Sequence, residues 1–128
     1  MKGNQKVIDV MNGLLAAELA AMDQYFIHSR MYEDWGLTKL HERVAHEFDD
    51  EMGHASALIE RILFLEGTPD MSSRKSIDVG KDVPEMLKSD LKLEYSVVDS
   101  LKDAIRVCEK ERDYHSREVL EKLLEDTE

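Results

Sequence analysis

The chain has 128 residues, 42% of them hydrophobic and 35% charged, and a formal net charge of −11. That length suits one domain with its own core, spanning residues 1–128, and the acidic balance argues against nucleic acid and anionic membranes as partners, because phosphate contacts need a basic surface. No apolar run reaches the ~18 residues of a membrane span, no signal-peptide pattern opens the chain, and the lone Cys108 cannot close an internal disulfide, so a cytoplasmic protein is expected.

Six Gly and two Pro among many Ala, Leu, Glu, Lys and Met residues favour helix. The first helix is predicted over about 4–33. Its stripe of Val7, Met11, Leu14, Glu18, Met22, Tyr25 and Ser29 steps by three or four. Glu18 is the one ionisable residue on that stripe; taken alone, it reads equally as a boundary carboxylate paired to an Arg or Lys. Residues 34–38 read as a turn, with Gly36 past the last periodic residue and Thr38 able to cap the next helix.

The second helix is predicted over about 39–66. It holds the stretch His46-Glu47-Phe48-Asp49-Asp50-Glu51-Met52-Gly53-His54, in which Glu51 and His54 form a Glu-x-x-His step. Carboxylate and imidazole three positions apart share one helix face. Leu40, Val44, Leu58, Ile62 and Leu65 lie on that same face, so the pair points towards a core. A charge buried there costs several kcal/mol or more unless it is paired or holds a metal.

Gly67-Thr68-Pro69-Asp70 stops the helix, and a polar connection without periodicity runs to about Lys81. About fifteen extended residues reach ~50 Å, and a helix of ~28 residues is ~42 Å long. The connection can therefore cross the whole bundle and leave helices two and three parallel.

Asp82-Val83-Pro84 opens the third helix as an N-cap with proline in the first turn. Its stripe is Val83, Leu87, Asp90, Glu94, Val97, Leu101, Ala104 and Cys108, with Glu94 again a carboxylate at mid-helix. Cys108 reads as a small core residue rather than a reactive thiol. A fourth segment over about 113–128 carries Tyr114, Leu120, Leu123 and Leu124 at helical spacing, and the pattern stops before it has finished.

Three helices thus place Glu18, Glu51 with His54, and Glu94 at their midpoints, facing inward. Carboxylate oxygens with an imidazole suit a first-row divalent metal such as iron, manganese or zinc. Di-iron carboxylate bundles use one Glu from each of two helices and a Glu-x-x-His from each of the other two. This chain supplies both single glutamates and the first Glu-x-x-His; the second would begin at Asp126-Thr127-Glu128, where the sequence ends.

With those residues in place, the chain resembles bacterioferritin over essentially its whole length. The likeness rests on Met1-Lys2-Gly3, Asp23-Gln24-Tyr25-Phe26-Ile27-His28-Ser29-Arg30-Met31, Trp35-Gly36-Leu37, Asp50-Glu51-Met52-Gly53-His54, the run 59–67, Glu85-Met86-Leu87 and Asp113-Tyr114. The resemblance implies an all-α, ferritin-like four-helix bundle with a long crossover between helices two and three. It implies a ferroxidase centre in which Glu18 and His54 ligate one iron, Glu94 ligates the other and Glu51 bridges them. It further implies a 24-subunit shell storing oxidised iron as mineral, with oxygen or peroxide as oxidant and a ferredoxin-type reductase as a partner.

By the same resemblance, Met52 from two subunits binds one b-type haem across a twofold axis. Spacing alone makes Met52 an exposed or interface residue on the opposite side of its helix. His46 and Asp50 are implied to hold an inner-surface iron, with Glu47 beside them, although a solvated acidic face accounts for all three almost equally well. Glu128, four residues after Leu124, is the choice for the second bridging carboxylate; in many relatives that glutamate aligns with Thr127 instead. The departure at the fourth helix leads to an expectation of a chain cut short there, with the second iron site lacking its histidine. Two other readings follow: a haem-binding dimer or shell subunit with impaired ferroxidase activity, or a bundle deficient in assembly.

Overall fold

A computed structural model describes residues 2–127. Four helices follow one another: α1 (Gln5–Asp34), α2 (Thr38–Phe64), α3 (Val83–Lys110) and α4 (Tyr114–Thr127). No helix among the described residues is long and apolar enough to cross a membrane.

The ends of the helices are set by local chemistry. The Asn4 side chain accepts from the N–H groups of Lys6 and Val7, which caps α1. Gly36 takes φ 74° in the turn to α2, a conformation that glycine adopts without steric cost. The expected Thr38 cap is not used. Leu37 holds the N-cap position with no side-chain bond, and Thr38 is already helical. The second helix also ends two residues sooner than its periodicity suggests, at Phe64, because Glu66 rather than Gly67 takes the left-handed conformation, with φ 61°. At the start of α3, Asp82 accepts from the Glu85 N–H at 2.9 Å, and the Glu85 carboxylate accepts from the Lys81 N–H at 2.8 Å. This is a shifted form of the reciprocal capping box.

Cross-helix bonds fix the topology. Asn4 reaches Glu111 at one end of the bundle, and Gln24 reaches Asp90 towards the other, so α3 runs antiparallel to α1. The three-residue turn makes α2 antiparallel to α1 as well, which leaves α2 and α3 parallel, as the long crossover requires. Near the α3–α4 corner, Arg61 on α2 bonds Asp113 and Ser116.

The core falls into two apolar clusters. The larger joins Val7, Met11, Leu15, Leu58, Ile62, Leu101, Cys108 and Leu120; the smaller joins Ala21, Tyr25, Tyr32, Val44 and Met86. Cys108 is fully buried, and burial pushes its thiol up to about 11, so it packs as a small hydrophobe. Met86, not the expected Leu87, fills the core at the start of α3; Leu87 is 48% exposed, as are Leu91 and Tyr95 in comparable measure. Those three stand along the first half of α3.

Candidate metal centre

Between the two apolar clusters lies a polar interruption. Glu18 on α1 and Glu51 and His54 on α2 are all buried, at 2%, 7% and 7% exposure. One ligand atom from each lies within 4.8 Å of the others. The reason is geometric. Glu51 and His54 are one turn apart on α2, and α1 packs antiparallel against that face, so its inward stripe delivers Glu18 between them.

The contacts give His54 two distinct sides. Its Nδ1 faces Glu18 Oε2 at 3.0 Å and Glu51 Oε2 at 3.7 Å. Its Nε2 faces Asp126 Oδ2 on α4 at 3.6 Å. Glu18 Oε1 and Glu51 Oε2 are buried with no hydrogen-bond partner. A buried carboxylate oxygen left unbonded costs on the order of 1–3 kcal/mol or more, so these two are unfinished as a purely structural arrangement.

The electrostatics agree. The hydrogen bond that His54 donates to the Glu18 carboxylate, and then the nearby Glu51 carboxylate, push the imidazole up to about 10. Glu51 is itself raised, chiefly by burial and by the Glu18 carboxylate, against the lowering effect of His54. A proton on His54 therefore stands where two buried carboxylates call for positive charge. A divalent ion could take over that role, with the two unbonded oxygens as ligands; the donor set fits such an ion.

Glu94 approaches from α3. Its Oε1 accepts from the Tyr25 hydroxyl at 3.0 Å. Burial raises its pKa, the Tyr25 bond lowers it, and Glu47, Glu51 and Asp90 raise it further. It lies outside the tight trio but lines the same open cleft of about 720 Å³, together with Glu47, Asp50, Glu51, His54 and Asp126. Two metal ions could therefore be approached from opposite walls.

The other expected site residues lie around this centre rather than in it. Met52 is 44% exposed, one position on from Glu51 and turned away from the cleft. His46 and Asp50 pair at 3.8 Å on the exposed face of α2. Thr127 lines the same cleft, but its hydroxyl donates to the Leu123 carbonyl at 2.8 Å. Glu128 lies outside the described residues.

Sequence reasoning missed Tyr25 and Asp126 as parts of the site. Tyr25 was legible only as an apolar stripe member, since its hydroxyl partner lies 69 positions away. Asp126 carried a usable signal, standing three residues after the buried Leu123 and so on nearly the same face.

Comparisons with known proteins give the family. A family model described as ferritin-like domain matches residues 8–128. A protein named bacterial ferritin from Synechocystis sp. is 61% identical over all 128 residues, which cover 82% of that relative. A bacterial ferritin from Pseudomonas aeruginosa is 56% identical with the same coverage. A protein named bacterioferritin from Brucella melitensis is 41% identical over the whole chain and 80% of its own length.

Proposed function

The chain belongs to the ferritin family, and from that premise we propose that it is an iron-storage subunit of the bacterioferritin kind with ferroxidase activity. The observation that carries this reading is the buried trio Glu18, Glu51 and His54, with two carboxylate oxygens lacking partners. In this reading Glu18 and His54 hold one iron through Oε1 or Oε2 and Nδ1, Glu94 holds the other, and Glu51 lies between them. A di-iron pair so held would oxidise Fe(II) with oxygen or peroxide as electron acceptor.

The protein's own groups prepare that chemistry. His54 would give up its Nδ1 proton when the site is filled, and the Asp126 carboxylate, an ion-pair partner 3.6 Å from Nε2, favours the tautomer that leaves Nδ1 free to bind. Tyr25 holds the Glu94 carboxylate at the second position. Leu19 and Ala55, the chain neighbours of Glu18 and His54, and Ala21 further along α1, are themselves buried. The carboxylate-rich donor set favours the harder ferric state as oxidation proceeds. The acidic cleft mouth at Glu47 and Asp50 attracts cations, and His46 with Asp50 offers a second iron contact on the storage side.

Assembly into a 24-subunit shell in the cytoplasm, mineral storage, and a reductase of ferredoxin type for release belong to the same proposal. The decisive experiment is stopped-flow oxidation of Fe(II) on the wild-type protein and on Glu51→Ala. Equal rates in the two would defeat the ferroxidase reading.

A second reading is favoured by Met52, an exposed thioether on α2 facing away from the cleft. Here the chain is chiefly a haem-binding subunit, with Met52 from two copies ligating one b-type haem, and iron oxidation is slow. An absorption spectrum decides it. A haem band lost in Met52→Ala supports this reading, whereas a colourless protein that oxidises iron at a normal rate excludes it.

A further inference from the structure

Away from the metal centre, α1 carries a second buried histidine that iron chemistry does not use. His28 has no exposed surface. Its Nε2 lies 2.6 Å from the Val79 carbonyl in the crossover, and its Nδ1 lies 3.0 and 3.3 Å from the two Asp90 oxygens on α3. A carbonyl and an ionised carboxylate are both acceptors only, so each ring nitrogen must donate. Only the imidazolium does that.

Gln24, one turn earlier, completes the clamp. Its Nε2 donates to Asp90 Oδ1 at 2.8 Å, and its Oε1 accepts from the Asp78 N–H at 3.4 Å. Two side chains of α1 thus tie the returning end of the crossover to the first half of α3. The remainder of that segment is largely exposed, so these bonds hold it where apolar packing does not.

From this geometry we propose that His28 is a proton-operated strap: as the imidazolium it fastens Val79 of the crossover to Asp90, and as the neutral base it lets the segment go. Neutral imidazole keeps one N–H, so it must abandon either the Val79 carbonyl or the Asp90 carboxylate, and the abandoned acceptor then faces a ring lone pair. The ionisable groups facing His28 are Asp78 from the crossover, Asp90 from α3 and the Tyr32 ring on its own helix, at 6.1 Å between centroids. On α2, His41 bonds the neighbouring Ser29 instead.

Burial alone would lower the His28 pKa, but Asp90, the Val79 carbonyl and Asp78 together outweigh it and raise it. The strap is therefore closed below that raised value and opens as pH rises through it. Asp90 stands one turn before Glu94, so opening loosens the stretch of α3 that leads to the metal centre.

The test needs two measurements on the intact protein across pH 6–10. Deuterium exchange at imidazole C2, read by mass spectrometry, gives the titration of each histidine. Backbone amide exchange over residues 76–82, corrected for intrinsic rates, reports the strap. The expected result is a His28 midpoint above the ordinary range of about 6.5 and a protection loss of about tenfold or more at Asp78 with the same midpoint. Asp90→Asn should move both midpoints down together. A His28 midpoint at or below the ordinary value of about 6.5 would overturn the proposal. So would crossover protection that stays constant through the His28 titration, a comparison made within the wild-type protein and independent of how the variant folds.

Discussion

Asp126 on α4 and His54 on α2 face each other at 3.6 Å across the bundle, on the side of the imidazole opposite Glu18. The relationship gives the two ring nitrogens different duties. Nε2 faces an ion-paired carboxylate, and Nδ1 faces the buried glutamates. Orienting partners of ligand histidines are typically worth 10–100-fold in metal affinity. Asp126→Asn should weaken binding of Zn(II) or Co(II), measured by titration calorimetry, by about that factor. Thr127→Ala should leave it unchanged, because the Thr127 hydroxyl bonds its own helix. Equal affinity in wild type and Asp126→Asn would remove Asp126 from any positioning role.

Metal binding should release protons in a pattern set by the same residues. With His54 raised to about 10, an incoming ion displaces its proton at any pH below that value. The logarithm of the affinity should therefore rise by about one per pH unit between 7 and 9. Below about 7, Glu51 also carries a proton in the empty site, and the slope should steepen towards two. Titrations in buffers of different ionisation enthalpy count the protons directly. A flat profile would mean that the bound metal does not contact this imidazole.

How far the sequence shows this centre depends on what each residue needs from its neighbours. Glu18, Glu51 and His54 are visible because a charge on an apolar stripe contradicts the helical period around it, and α1 and α2 meet through a turn marked by Gly36. The parallel arrangement of α2 and α3 follows from the length of the crossover alone. What the period cannot show is which of two adjacent apolar residues turns inward. Met86 rather than Leu87 fills the core because the start of α3 is set by the Asp82 and Glu85 cap bonds and by the crossover packed beside it. The Tyr25–Glu94 and His28–Asp90 pairs were also hidden: each joins residues more than sixty positions apart, through hydrogen bonds that leave no periodic trace.

Gly67 is small for packing rather than for backbone freedom. A Cβ at this position would lie 2.8 Å from Ile8 Cγ2 and 3.1 Å from Ile62 Cγ2. Ile62 is fully buried and Ile8 nearly so, which leaves little room for either to yield. Overpacking of this kind usually costs about 1–3 kcal/mol. Gly67→Ala should lower the urea midpoint by a corresponding amount with little change in the denaturant slope, whereas Gly13→Ala, where a Cβ meets nothing within 4 Å, should not destabilise through a clash. Unfolding curves for the two variants side by side make the comparison, and equal loss in both would contradict the packing argument.

Glu51 sets metal binding against stability. Its pKa in the folded chain is raised above the ordinary 4.5, chiefly by burial. The folded state therefore holds more protons than the unfolded chain from the ordinary value up to the raised one, and stability falls as pH rises through that window. Above it, the ionised side chain is a net cost in the metal-free protein. Glu51→Gln keeps the shape and removes the charge, so at pH 8, with chelator present, it should raise stability by about 1–3 kcal/mol. Below the ordinary carboxylate value both chains are neutral at this position, and the difference should largely vanish. The same substitution removes a central carboxylate from the centre and should weaken Zn(II) binding sharply. Thermal unfolding at pH 4 and pH 8, with and without Zn(II), reads all four quantities. A variant less stable than wild type at pH 8 without metal would show that the carboxylate is satisfied as it stands, and that its burial needs no ion.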